Sequence, residues 1–193
     1  MGRMTGGSRL VDRALVERAQ HGDRDAYEAL ARASARRLYL TAHRIVRDAD
    51  RAEDAVQQTL VAMWRELPSL RDPDRFEAWT YRLVVRFCLA ESRRARRAGV
   101  REIRIEETEP TRSDAYAAAD LRDQLDRALA ALSPQHRTVV VLHYYAGLPL
   151  AEIAEILGVP YGTVGSRLHH ATRALRAVIE AHERAGISEG QPA

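Results

Sequence analysis

The stretch GLPLAEIAEILGVPYGTVGSRLHHATRAL, residues 147–175, decides how this chain is read. Leu150, Ile153, Ala154 and Leu157 recur at helical spacing, Gly158 supplies the left-handed backbone that ends such a helix, and Pro160 opens the next one. Val164 and Leu168 give the second helix an inner face, while its outer face carries Ser166, Arg167, His169, His170 and Arg173. No acid occurs over 161–176. Two short helices around a tight break, the second free of acids, form a helix-turn-helix whose second helix can approach phosphates. A plain helical hairpin has no need of an acid-free face.

Composition bounds the class. A length of 193 residues suits two domains of roughly 60 to 90 residues. With 46% hydrophobic and 30% charged residues, a chain disordered throughout is excluded. All 30 basic residues are arginine, which fits an arginine-biased genome as well as it fits phosphate recognition by a planar donor fork. Cys88 is the single cysteine, so no internal disulfide forms, and the expected compartment is reducing. No apolar run approaches the roughly 20 residues that span a bilayer, and no signal-peptide pattern follows the basic start, so a cytoplasmic protein is expected.

Charge is laid out in blocks. Over 82–104 eight arginines oppose Glu91 and Glu102, a local net of +6; over 105–126 seven acids oppose Arg112 and Arg122, a net of −5. Residues 98–115 also lack apolar periodicity and contain glycine, proline and two threonines, as a flexible linker does. The first nine residues, rich in Gly and Arg, are expected to be a disordered tail. The division is then 10–97, a linker over 98–115, and 116–182.

Helical spacing fills the rest. Tyr27, Leu30, Leu38 and Ile45 mark one helix, Val56, Leu60, Met63 and Leu67 the next, and Phe76, Trp79, Leu83, Phe87 and Ala90 the longest stripe. Between the last two, PSLRDPD over 68–74 forces a loop and caps the helix that begins near Arg75. Leu121, Leu125, Leu129 and Leu132 form a further stripe, and Ser133 followed by Pro134 starts another helix in the cap-then-proline order. No segment alternates with strand period. The expected fold is all-α: two small helical domains joined by a flexible linker.

These residues carry a family resemblance. AEDAVQQTLVAMWRELPSLRDPDRFEAWTYRLVVRFCLAESRRARR, over 52–97, resembles domain 2 of the extracytoplasmic-function sigma factors of the bacterial sigma-70 family. LSPQHRTVVVLHYYAGLPLAEIAEILGVPYGTVGSRLHHATRAL, over 132–175, resembles their domain 4. The resemblance implies a factor that binds core RNA polymerase and directs it to promoters, with an anti-sigma factor as a further partner. It implies that Asp54, Gln57, Gln58 and Trp64 dock on polymerase. Asp54, Gln57 and Gln58 share one helical face, distinct from that of Val56, Leu60 and Met63. The family commonly has an acid where this chain has Gln58.

The resemblance assigns the loop and the following helix to the −10 element, read as single-stranded DNA. A base offers its Watson–Crick edge only after leaving the stack, so such a reader combines a pocket-forming loop with backbone-binding cations. Ser69, Arg71, Asp72 and Arg75 fall in the loop and Arg82, Arg86, Arg93 and Arg94 along the helix. For Asp72 and Asp74, capping is an equal alternative. Phe76 and Trp79 read as core, whereas Tyr81, off the apolar stripe, is the expected stacking platform. At the −35 element the resemblance places Thr163, Gly165, Ser166, Arg167, His169, His170 and Arg173 against duplex DNA. Gly165 stands where many members carry Lys or Arg, and Pro149 where a capping serine is common.

No catalytic constellation, metal site or cofactor is expected. His169 and His170 are adjacent on a helix and diverge by about 100°, and no cysteine lies near them. A helix-turn-helix regulator that does not replace the sigma subunit is the alternative; it explains 147–175 and leaves 52–97 without a task.

Overall fold

The computed structural model describes residues 12–99 and 125–189, with side chains as far as residue 180. The expected amino-terminal tail, all of the linker but Ala98 and Gly99, and Leu121 lie outside the described residues. Every regular element among the described residues is helical. In chain order these are α1 (Arg13–Gln20), α2 (Arg24–Val46), α3 (Ala49–Glu66), two 3-10 turns (Leu67–Ser69 and Pro73–Arg75), α4 (Phe76–Arg97), α5 over 125–131, α6 (Pro134–Val140) running into a π-helical turn (Val141–Tyr145), α7 (Leu150–Leu157) and α8 (Tyr161–Glu189). None is long and apolar enough to cross a membrane.

Aspartates start the first three helices. Asp12 accepts from Ala14 N, Asp23 from Ala26 N and Asp48 from Arg51 N, each satisfying an amide that the first turn leaves unpaired. The Ala26 amide, helped by the Arg18 guanidinium, holds the Asp23 carboxyl below the usual carboxylate range. Arg47 ends α2 at φ 57, the only positive φ of a non-glycine residue described. Ser133 accepts from His136 N at 3.3 Å and Pro134 follows it, the cap expected for α6.

The core of the first lobe is the stripe set of α2, α3 and α4: Leu30, Leu38, Ile45, Met63, Phe76 and Leu83 are all at most 2% exposed. This core does not stop at the lobe boundary. Val139, Leu142, Ile153, Ile156 and Val164 of the second lobe belong to the same cluster, so α6 and α7 pack onto α2 and α4. A smaller cluster of Leu129, Leu132, Val140 and Ala171 ties α5, α6 and α8 together. Leu125 departs from its expected stripe and stands 49% exposed.

Polar groups fix the seam. The side chain of Arg137, 1% exposed, donates to Ile45 O at 3.0 Å across the seam and to Leu132 O at 2.9 Å within its own lobe. In return Arg47 of the first lobe donates to Asp126 O. The Arg44 guanidinium lies 3.8 Å from the ring centre of Tyr145. Because Arg137 serves the carbonyls of two buried residues, Arg137→Ala leaves Ile45 O and Leu132 O without this donor and opens a cavity. We expect a loss of about 2 to 4 kcal/mol in unfolding free energy, read from urea denaturation.

Candidate nucleic-acid interface

On α3 the buried side holds Ala52, Ala55, Val56, Thr59, Ala62 and Met63. Asp54 and Gln57 point outward, and so do Val61 and Trp64, 52% and 44% exposed. Positions 54, 57, 61 and 64 follow one another at three- and four-residue steps, a single stripe that passes from polar to apolar. Trp64 meets Tyr27 edge to face with ring centres 4.8 Å apart, and the Tyr27 hydroxyl donates to Leu60 O at 2.6 Å, so the indole is held from below while its outer side stays open. Sequence reasoning misses Val61; its spacing from Gln57 and Trp64 is the signal that could have found it.

Gln58 lies closer to α4 than Asp54 and Gln57 do. It is half-buried, and its amide donates toward Glu91 Oε1 at 3.4 Å, while Arg94 Nη1 donates to the same oxygen at 2.9 Å. Gln58 thus braces α3 against α4 instead of standing open beside Asp54 and Gln57. An acid here would oppose the buried carboxylate of Glu91, which gives a physical reason for the amide in this chain.

In the loop before α4, local hydrogen bonds occupy several of the expected readers. Ser69 Oγ donates to Glu66 O at 2.6 Å, and Asp72 Oδ1 accepts from Asp74 N at 3.0 Å as the cap of the second 3-10 turn. Asp74 accepts from Arg13 Nη1 at 3.1 Å. Arg71 is exposed. Arg75 pairs with Glu155 of α7, and Arg82 donates to Glu155 O at 3.2 Å, so this one residue of the helix-turn-helix faces two of the expected DNA-reading cations. Arg86 pairs with Glu66 at 3.0 Å, and Arg93 is exposed.

Tyr81, expected to be an open stacking platform, lies inside the lobe. It is 5% exposed with the Arg37 guanidinium 4.7 Å from its ring centre, so the ring is covered and offers no free face to a base. Phe76 is buried and Trp79 half-buried, in keeping with their place on the core stripe. Cys88 is fully buried, and burial pushes its thiol up to about 12, so no reactive thiolate forms at neutral pH.

In the second lobe Gly158, at φ 64, closes α7, and its amide bonds back to Glu155 O at 3.3 Å. Pro149 sits at the amino end of α7 with no side-chain capping bond. Val164 and Ala171 anchor the inner face of α8, with Leu168 half-buried beside them. Ser166, His169, His170 and Arg173 are exposed, and Thr163, Gly165 and Arg167 lie half-exposed at the margins of the same face. A Cβ built on Gly165 would meet nothing within 4 Å. The His170 ring stacks toward His136 with centres 6.4 Å apart, and no group of three His, Cys, Asp or Glu among the described residues could hold a metal ion.

Comparison with known proteins matches both lobes. Residues 30–98 fit the family model for Sigma-70 region 2, and residues 122–175 the model for Sigma-70, region 4. The ECF RNA polymerase sigma factor SigL of Mycobacterium tuberculosis is 38% identical over 146 residues, covering 74% of this chain and 82% of that protein. The ECF RNA polymerase sigma factor SigW of Bacillus subtilis is 25% identical over 179 residues, 86% of this chain and 96% of its own length. Among solved structures, CnrH in complex with the cytosolic domain of CnrY superposes with a TM-score of 0.65 at 26% identity, covering 88% of this chain and 97% of that one. The sigma factor RpoE in complex with the anti-sigma factor NepR from Bartonella quintana gives 0.63 at 25% identity, covering 80% and 96%.

The Gln58 contact can be tested directly. Gln58→Glu exchanges a donor for a second carboxylate beside Glu91, so we expect a loss of about 1 to 2 kcal/mol at pH 8, measured by urea denaturation and reduced in high salt.

Proposed function

The chain belongs to the extracytoplasmic-function sigma factors of the sigma-70 family, and from that premise we propose how its residues divide the work. As a sigma factor it binds core RNA polymerase and directs initiation at promoters through their −10 and −35 elements. In our reading 10–97 is the polymerase-docking and −10 domain, 98–115 the linker and 116–182 the −35 domain.

The docking face is Asp54, Gln57, Val61 and Trp64 of α3. This is the observation that carries the assignment: an exposed stripe that passes from polar to apolar on a helix whose opposite side lies in the core. A regulator that bound DNA alone would have no use for it. The −10 reader is the surface formed by Ser69, Arg71, Asp72 and Arg75 with Arg82, Arg86, Arg93 and Arg94, the loop supplying directional donors and acceptors and the helix the charge for the strand's backbone. Tyr81 takes no part, since its ring is covered. The −35 reader is the outer face of α8. Ser166, His169 and His170 are the best exposed toward base edges, with Thr163, Arg167 and Arg173 directed to phosphates; Gly165 leaves a gap at the margin of this face.

The two elements lie about 25 base pairs apart, roughly 85 Å along B-form DNA. A chain of this length folded as one body is about 40 Å across. The packed arrangement, with Glu155 on Arg75 and Arg82, therefore belongs to the free factor, and the lobes part when both elements are engaged. We further propose that the factor works in the cytoplasm without catalytic activity of its own and is held by an anti-sigma factor. The two solved relatives above, each in a complex and the second with a named anti-sigma factor, support the last point.

Asp54→Ala combined with Gln57→Ala removes two outward side chains, so we expect unchanged helicity but a roughly tenfold to hundredfold loss of affinity for core polymerase, measured by competition for core. A folded double variant with normal affinity takes α3 out of the interface. At Gly165 a Cβ meets nothing within 4 Å, and Gly165→Arg removes a helix-weakening glycine. In complex with core it should bind −35-dependent promoters more tightly, with a salt dependence steeper by about one unit of slope.

A further inference from the structure

Two adjoining hollows run along the side of α4 that faces the second lobe. They have volumes of about 460 and 420 Å³ and share Leu89 and Arg93. Val85, Leu89, Ile156 and Leu157 give the first an apolar floor beneath Arg82 and Arg86. The second continues past Ser92, between Arg96 and Arg97 on one side and Pro134 and Gln135 of α6 on the other. The result is one groove, apolar below and rimmed by guanidinium groups. Arg82 donates to the backbone carbonyl of Glu155, and Arg86 pairs with the carboxylate of Glu66. Arg93, Arg96 and Arg97 are exposed and make no ion pair with any described residue.

The matching charge is in the chain itself. Residues 105–126 carry a net charge of −5, and the run begins six residues beyond Gly99, at the lip of the groove. From Arg97 to Arg82 the groove follows α4 for roughly 22 Å at 1.5 Å per residue. The 25 residues between Gly99 and Leu125 can span up to about 85 Å when extended, enough to descend the groove and return. The last acid of the run, Asp126, already lies against Arg47 of the first lobe.

We propose that the chain's own acidic segment, residues 105–123, docks in this groove and sets Glu106, Glu107 and Glu109 against Arg93, Arg96 and Arg97. Single exposed ion pairs of this kind are weak. A tethered ligand, however, is present at a local concentration of the order of millimolar, so several weak pairs suffice. The docked carboxylates then occupy the cations that nucleic acid would use. That consequence rests on the reading of α4 as DNA-facing, whereas the docking itself does not.

The experiment is limited digestion of the full chain by a glutamate-specific protease, following cleavage after Glu106 and Glu107 by mass spectrometry. Rates are normalised to a free peptide of residues 100–124 under the same conditions. At low salt we expect cleavage about fivefold slower than in the peptide, since proteolysis follows the undocked fraction. That protection should disappear at about 0.5 M salt, where screening is short-ranged, and in the Arg96→Gln/Arg97→Gln variant. Both substitutions lie on the exposed end of α4 and retain helix propensity, and helicity is checked by circular dichroism. Cleavage of the intact protein at the peptide's rate overturns the proposal. So does protection that survives high salt, or protection that survives in the folded double variant, because something other than these arginines then shields the segment. No nucleic acid or polymerase is present, so the outcome does not depend on whether α4 reads DNA.

Discussion

A guanidinium buried where α6 meets the carboxyl end of α2 governs how the two lobes are arranged. A helix leaves its last carbonyls unpaired, and at α2 the left-handed turn at Arg47 takes the chain away just after Ile45. Arg137 supplies the missing donor from the other lobe and uses a second branch of the same group on Leu132 O. A planar fork can serve two carbonyls in fixed directions, which a lysine ammonium does less well. Arg47 reaches the opposite way to Asp126. The seam is therefore crossed in both directions, and the position of α6, with everything after it, follows from where Ile45 ends.

This polar seam selects an arrangement more than it prevents parting. When the lobes separate, Arg137 and Ile45 O both regain water, so the net contribution of their bond is about 1 kcal/mol even though removing one partner costs more. The Arg75–Glu155 pair is half-exposed on both sides and contributes little. The resistance to separation lies in the shared apolar cluster, where Leu142, Ile153 and Ile156 would lose cover. A factor built this way keeps a specific closed form without making opening prohibitive.

The sequence is most readable where one helix face meets one core. The stripes of α2 and α3, the Ser133–Pro134 start and the Gly158 turn all follow from local spacing and backbone preference. Periodicity misplaces Tyr81 because α4 is buried over a wide arc, against α2 and α3 on one side and α7 on the other. A residue off the main stripe of such a helix still lies inside. Gln58 is misplaced for a related reason, since its partner Glu91 is 33 positions away and periodicity carries no information about that contact. Arg137 and Glu155 look like ordinary surface charges in the sequence. Their roles arise only when the lobes are side by side.

The π-helical turn at Val141–Tyr145, closed by the bond from Ala146 N to Val141 O at 3.0 Å, holds one residue more than an α-helical turn would. That extra residue offsets the phase between Arg137, fixed in the seam, and the recognition helix beyond it. One residue corresponds to about 100° of helical rotation. A change of one residue in this turn would alter the path from an unchanged anchor to α7 and α8, so the turn is a place where an insertion or deletion alters geometry without touching either the seam or the side chains of α8 proposed to face DNA.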